Sequence, residues 1–170
     1  MLYSKILSVF VLILAVSTVE ASPLNKIPEK FLGKFKLEKS ENFDAYLKSK
    51  GLPWVLRKII CAAPVTYVFK QGNEEGTYTD VIISYTTTTY PNWKIDGTFE
   101  GEGMDGTTHR ITFSMPDENT LTEHHDEYQI ESADNQELYH WTREGDYLVQ
   151  TMSNKGITAK RWHKLVQEKN

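Results

Sequence analysis

Several features that would point to a familiar class of protein are missing from this 170-residue sequence. It contains one cysteine, so no disulfide can form within the chain and a folded domain must be held together by its core alone. It contains no Asn-x-Ser/Thr acceptor, and no run of Lys and Arg is long enough to supply the basic face that a phosphate backbone requires. We therefore expect neither N-glycosylation nor nucleic-acid binding.

Sequence motifs for catalysis are also absent. There is no H-E-x-x-H pair, no G-x-S-x-G elbow and no glycine-rich phosphate loop before a helix. His124 and His125 lie in a segment rich in metal-ligand types, but neighbours in a strand point to opposite faces and cannot share one ion without distortion. We nominate no catalytic residue, metal site or cofactor, while an active site assembled from distant strands remains an alternative.

The N-terminus differs from the rest of the chain. Lys5 precedes an almost wholly apolar stretch at 6–16, and Val19-Glu20-Ala21 places small residues at both ends of a triplet. This pattern is typical of a secretory signal peptide, and the apolar run is short for a membrane span. We predict a signal peptide at 1–21 and one domain at 22–170; the alternative is an uncleaved anchor.

The remaining composition indicates one globular domain. Hydrophobic residues make up 39% of the chain and charged residues 25%, with a formal net charge of −4. In an oxidising compartment, the simplest interpretation of Cys61 is a buried small hydrophobic residue, because it lies within an apolar stretch at 59–63.

Two short helices are predicted after a first strand at 31–37. Ser40 is a suitable N-cap for the first helix, and Gly51 ends it. Pro53 suits the first turn of the second helix, and Pro64 stops it. The apolar face of the second helix consists of Val55, Leu56, Ile59 and Ile60.

Nine further strand candidates follow Pro64, separated by turn signals such as Asp105-Gly106 and Glu144-Gly145. With the first strand, this makes ten at regular spacing, which favours an up-and-down meander that closes to remove its two edges. We predict an all-β fold: a ten-stranded antiparallel β-barrel, calycin-like, capped by the helix-turn-helix. A barrel of this size encloses an internal ligand cavity.

The C-terminal strand offers two alternative orientations. Arg161 and His163 share one face, and Trp162 lies on the other. An Arg turned into a mostly apolar barrel requires an anion, and a fatty-acid carboxylate fits its two-pronged geometry. If Arg161 faces outward instead, Trp162 is the buried residue.

The order of elements resembles the intracellular lipid-binding protein family, which includes the fatty-acid-binding proteins. The matching segments are 31–37 (FLGKFKL), 41–48 (ENFDAYLK) and 156–163 (GITAKRWH), with Pro64 opening the second strand. Other segments are similar in particular to the secreted branch found in nematodes; these are Trp93, Phe99, 111–113 (ITF), 119–123 (NTLTE) and 144–149 (EGDYLV).

The resemblance implies a head-group site in the last strand. The family holds the ligand carboxylate with an Arg-x-Tyr pair; Arg161 matches the arginine, whereas His163 replaces the tyrosine, and the resemblance then implies a pH-sensitive head-group contact. A second family arginine falls near His140 or Trp141, so His140 is a third head-group candidate. The resemblance also implies portal and cavity-lining residues: Phe43, Trp54, Leu56, Ile59, Trp93 and Phe99.

The function that follows is a secreted, monomeric carrier of long-chain fatty acids or similar small lipids. Retinoids are alternative ligands, an eight-stranded lipocalin is an alternative fold, and a lipid-modifying enzyme within a barrel is an alternative of another class. Basic residues near the helices, Lys48, Lys50, Arg57 and Lys58, suggest transient contact with anionic membranes through the helical portal. The competing interpretation is an ordinary solvated helix face.

Overall fold

The computed structural model describes residues 25–103, 106–127 and 137–167, so the predicted signal peptide at 1–21 lies outside the described residues. A short 3-10 turn at Glu29–Phe31 precedes the first strand. The strands and helices are β1 (Gly33–Glu41), α1 (Phe43–Ser49), α2 (Trp54–Ala62), β2 (Thr66–Gln71), β3 (Tyr78–Ile83), β4 (Thr87–Trp93), β5 (Thr98–Glu102), β6 (Thr108–Asp117), β7 (Thr120–Glu127), β8 (Glu137–Glu144), β9 (Tyr147–Asn154) and β10 (Ile157–Leu165).

All ten strands belong to one antiparallel sheet in the order β4-β3-β2-β1-β10-β9-β8-β7-β6-β5. Each strand pairs with its neighbour in the chain except at one place, where β4 and β5 are the two ends of the described sheet. The pairing of β1 with β10 joins the chain's first and last strands and nearly closes the barrel. The predicted ten-stranded up-and-down barrel with two helices is confirmed, and ten strands rule out the eight-stranded lipocalin alternative.

The two helices connect β1 to β2 and therefore lie at one end of the barrel, which we call the helix end. Because successive strands run in opposite directions, the β3–β4, β5–β6 and β9–β10 connections lie at this end too. The opposite end is covered by the segment before β1, where Ile27 and Phe31 are buried. The backbone N–H of Ile27 donates to the hydroxyl of Tyr78, at 3.0 Å, and fixes this segment to the start of β3.

Aromatic side chains from opposite walls meet inside the barrel and form most of its core. The ring of Phe113 on β6 stacks on Trp93 of β4 at 4.1 Å between centroids and meets Phe69 of β2 at 6.3 Å. Tyr67 on β2 meets Trp141 on β8 edge-on at 4.8 Å. Such pairs add to the free energy gained by burying the rings.

The start of α1 differs from the prediction. Ser40 lies within β1, whose ladder with β10 extends as far as Glu41 opposite Lys160. The chain then turns at Asn42, which occupies the N-cap position in the left-handed region at φ 55°. Its side-chain amide donates to the carbonyl oxygen of Thr158 at 3.3 Å. The predicted Ser40 cap is therefore wrong, because the sheet ladder engages that stretch of backbone.

Helix α2 is more exposed than its apolar sequence suggests. None of its residues is fully buried, and Ile60 alone packs partly against the cluster formed by α1 with β9 and β10. The prediction that Cys61 is buried is wrong, since its side chain is exposed on this helix. Within the described ranges, no helix has the length and apolar character needed to cross a bilayer.

Candidate functional site

The inner face of β10 places a cation inside the barrel. Ala159, Arg161 and His163 are all buried on this face. Trp162 points outward, where the Lys39 ammonium lies 4.1 Å from its ring centroid and its indole N–H donates to Glu144 at 3.1 Å. The burial of Arg161 and the outward position of Trp162 therefore select the first of the two orientations that the sequence left open.

Arg161 is only 6% exposed and has no fixed counter-ion within the described residues. Its guanidinium carbon lies 4.2 Å from the ring centroid of Phe43 on α1, and its Nε has no hydrogen-bond partner. Burial lowers the pKa of Arg161, although nearby Tyr67 works in the opposite direction. The cation–π contact compensates only part of the lost hydration, so the geometry favours an anion at this position.

His163 lies one step further along the same face and is completely buried. Its ring meets Tyr67 edge-on at 5.2 Å and lies 5.8 Å from Trp141. Burial, followed by the positive charge of Arg161, lowers the pKa of His163 from 6.5 to about 3. The side chain is therefore a neutral imidazole at ordinary pH, able to donate one hydrogen bond and accept another.

A buried polar cluster lies on β7 and β8. Glu123 accepts hydrogen bonds from the Trp141 indole N–H at 2.9 Å and from His125 Nε2 at 2.7 Å. Gln150 on β9 is the register partner of Arg161, and its buried side-chain oxygen has no hydrogen-bond partner. The sequence analysis missed Glu123 and Gln150, because alternation shows which residues share a face but not which face is inside.

The predicted portal and cavity-lining residues divide between the interior and the surface of the helix end. Phe43 lies beneath Arg161, while Trp93 and Phe99 pack against Phe113 inside the barrel. Trp54 and Ile59, with Leu56 between them, are exposed on α2 and do not line the interior.

His140 does not join Arg161 and His163. It is exposed on the outer face of β8, and its neighbour Trp141 faces the interior. The physical reason is the two-residue period of a strand, which places only one of two adjacent side chains inside. The structure thus corrects the placement of this third head-group candidate.

The predicted basic patch near the helices is partly neutralised. Arg57 and Lys58 both contact the Asp44 carboxylate, at 3.4 and 3.1 Å. Lys50 contacts Glu137 at 3.1 Å. The positive charge available for an external partner is therefore smaller than the sequence suggests.

A cleft of about 120 Å³ opens at the helix end, on the side where β4 and β5 are unpaired. Its walls come from β3, β4, β5 and their connections and include Ile82, Thr88 and Glu102. It is distinct from the buried face around Arg161, and its mixed polar and apolar lining lies beside the only gap between described strands.

Comparisons with known proteins give a consistent result. The chain is 42% identical over 147 residues to fatty acid-binding protein homolog 3 of Caenorhabditis elegans, covering 86% of this chain and 88% of the relative. It is 40% identical over 149 residues to a fatty acid-binding protein homolog of Ascaris suum, with coverages of 86% and 88%. The solved structure of As-p18, an extracellular fatty acid binding protein, superposes with a TM-score of 0.78 at 39% identity, over 82% of this chain and 99% of that chain. A scan against family models gave no match.

The lowered pKa of His163 predicts a specific pH dependence of stability. The unfolded chain binds a proton near pH 6.5 that the folded protein does not take up until about pH 3. The contribution of this site to stability is therefore complete above pH 6.5 and is lost as the pH falls toward 3. His163→Leu is expected to flatten the free energy of unfolding against pH in this window, by up to about 1.4 kcal/mol per pH unit.

Urea unfolding between pH 4 and 7.5 measures this slope. His140→Leu is the matched control, because it removes an imidazole from the outer face of β8. An equal change of slope in both variants would contradict the assignment to His163.

Proposed function

The chain belongs to the fatty-acid-binding protein family, and on that basis we propose that it carries long-chain fatty acids inside its barrel with the ligand carboxylate held at Arg161. The observation that carries this proposal is a guanidinium buried on the inner face with no ion pair among the described residues. Arg binds carboxylates through two parallel hydrogen bonds, which supplies the missing counter-charge.

His163 completes the head-group site in this proposal. Its neutral imidazole lies on the same face, two residues from Arg161, and can donate a hydrogen bond to the second carboxylate oxygen. Gln150 on the adjacent strand is paired in register with Arg161, and its side-chain amide is a further hydrogen-bonding group beside the proposed head-group site. A bound carboxylate would also favour protonation of His163, so its pKa should rise when the ligand binds.

The hydrocarbon chain supplies most of the affinity. Each CH₂ group transferred from water contributes about 0.8 kcal/mol, offset by the loss of chain freedom. The barrel interior is rich in aromatic rings that such a chain would contact, including Tyr67, Phe69 and Phe113. The natural role that fits is to solubilise and move a lipid that water rejects.

We propose a carrier rather than an enzyme. No serine or cysteine is among the buried side chains of the described residues, and Cys61 lies on the outer surface. The His125–Glu123 pair therefore has no serine or cysteine on the described inner face to activate. Retinoic acid remains a second ligand to test, because it also combines a carboxylate with an apolar body.

Membrane contact at the helix end is part of the proposal. The large hydrophobic side chains that are exposed in the described residues all lie at this end: Trp54, Val55, Leu56 and Ile59 on α2, Ile83 and Tyr85 at the β3–β4 connection, Leu138 at the start of β8 and Ile157 at the start of β10. Trp54 is 63% exposed and Ile59 52%. An apolar rim around one end of a lipid carrier is suited to touching a bilayer during transfer.

Arg161→Leu tests the head-group site. Loss of hydrogen bonds to a charged group is expected to weaken oleate binding by roughly 10- to 100-fold, because such bonds contribute about 1.5–3 kcal/mol. Binding of oleyl alcohol should change little, since it brings no charge. Displacement of a fluorescent fatty acid, repeated with retinoic acid, measures both.

Lys160→Leu removes the same charge from the outer face of the same strand and serves as the control. The head-group assignment fails if Arg161→Leu and wild type bind oleate equally, or if oleate and oleyl alcohol lose affinity to the same extent.

Val55→Glu tests the membrane contact. A negative charge on the exposed face of α2 should slow transfer of a fluorescent fatty acid to phosphatidylserine vesicles by roughly fivefold. The equilibrium affinity of this variant for oleate should stay within about twofold of the wild-type affinity, because Val55 does not face the interior. Gln71→Glu adds the same charge at the opposite end of the barrel; equal slowing by both variants would rule out a contact through α2.

Secretion is proposed from the N-terminal pattern and supported by the extracellular character of the As-p18 relative. When the protein is expressed in a secreting eukaryotic cell, it should appear in the medium. Its intact mass should equal that of a chain that begins at Ser22. Leu12→Arg combined with Leu14→Arg should retain it in the cell by interrupting the apolar run. Secreted protein that still begins at Met1, or secretion unaffected by the double variant, would contradict the proposal.

A further inference from the structure

The inner face of β3 carries a carboxyl group that the fatty-acid site does not use. Asp80 is completely buried, on the same face as Tyr78 and Ile82, which belong to the main hydrophobic core. Neither of its carboxylate oxygens has a hydrogen-bond partner of normal geometry among the described residues. A polar group in this position lowers the stability of the protein unless a ligand or water satisfies it.

Asp80 lies near the polar cluster on β7 and β8, since the Glu123 carboxylate is one of the charges that act on it. Its neighbours are Phe69 on β2 and Tyr90 on β4. The Phe69 ring lies 5.7 Å from Trp141, whose indole N–H holds Glu123, and the Tyr90 ring lies 6.5 Å from His125. Asp80 therefore faces across the barrel toward the Glu123–His125 pair.

The ionisation state of Asp80 decides what it can bind. Burial first, and then the nearby Glu123 carboxylate, raise the pKa of Asp80 well above its usual range, and the backbone N–H of Val81 offsets this only in part. The favoured form is a neutral carboxylic acid, which has one O–H donor and a carbonyl acceptor. This combination complements a hydroxyl group, which also donates once and accepts.

We propose that Asp80 is a second polar contact for the ligand and that it selects fatty acids carrying a hydroxyl group on the chain. The inference rests on the proposed function, because the ligand carboxylate is taken to lie at Arg161. β10 and β3 are three strand spacings apart in the sheet, roughly 14 Å along its curve. This separation favours a hydroxyl within the chain over one at its far end.

A saturated fatty acid and a hydroxy fatty acid differ in whether the Asp80 carboxyl group stays without a hydrogen-bond partner. A saturated tail passing Asp80 leaves its donor and acceptor unsatisfied, whereas a hydroxyl at the right carbon pairs with both. A site built in this way discriminates against the analogue that lacks the polar group. At other positions the hydroxyl should weaken binding, because it would lose its water without gaining a partner.

The test compares stearate with 2-, 10- and 12-hydroxystearate by displacement of a fluorescent fatty acid. At least one isomer is expected to bind the wild-type protein roughly three- to tenfold more tightly than stearate does. Asp80→Leu should remove this preference, and Asp80→Asn should retain much of it, because an amide also donates and accepts. Asp80→Leu should also bind stearate more tightly than wild type does, because the stearate tail then leaves no polar group unpaired at this position.

Stearate binding separates this inference from the function on which it rests. If the folded wild-type protein binds no stearate, the proposed function fails; if stearate binds and no isomer binds more tightly, only the hydroxyl inference fails. A preference that survives in Asp80→Leu assigns the contact to another residue and overturns the inference. Tighter binding of octadecylamine than of any hydroxystearate, lost in Asp80→Leu, would show that the site selects a cation instead. Thermal unfolding of each variant confirms that it is folded.

Discussion

The pairing of β1 with β10 is the contact on which the rest of the structure depends. It joins the first and last strands of the chain, so ten strands that are each adjacent to their sequence neighbours form a nearly closed barrel. Closure leaves one gap among the described strands, between β4 and β5, and gives each of them an inside and an outside. The same ladder runs as far as Glu41 and displaces the start of α1 to Phe43.

The inside that closure creates is not a plain hydrophobic core. Aromatic rings from opposite walls interlock around Phe113, and beside them lie polar groups that include Arg161, Glu123 and Asp80. Glu123 accepts a hydrogen bond from Trp141, whereas the Nε of Arg161 and both carboxylate oxygens of Asp80 have no hydrogen-bond partner among the described residues. Unpaired buried polar groups lower stability, and this cost is the physical basis for proposing Arg161 and Asp80 as ligand contacts.

More of the fold than of the candidate site could be predicted from the sequence. Regular strand spacing, turn residues and the helical stretch before Pro64 determine the order of elements, because each is a local signal. The Ser40 cap was predicted incorrectly because it depends on how far the β1–β10 ladder extends. The burial of Cys61 was predicted incorrectly because it depends on where α2 packs. The strand pattern left Arg161 with two alternative orientations, a family resemblance favoured the inward one, and Asp80 had no local signal at all.

By itself, the sequence determined the ten strands, the helix pair and the residues that share each strand face, because these follow from turn residues and local periodicity. Only the tertiary structure decided which face turns inward, and with it the burial of Arg161 and His163 and the exposure of Trp162 and His140. The reason is that alternation is symmetric between the two faces of a strand. Barrel closure, which involves residues more than a hundred positions apart, breaks that symmetry.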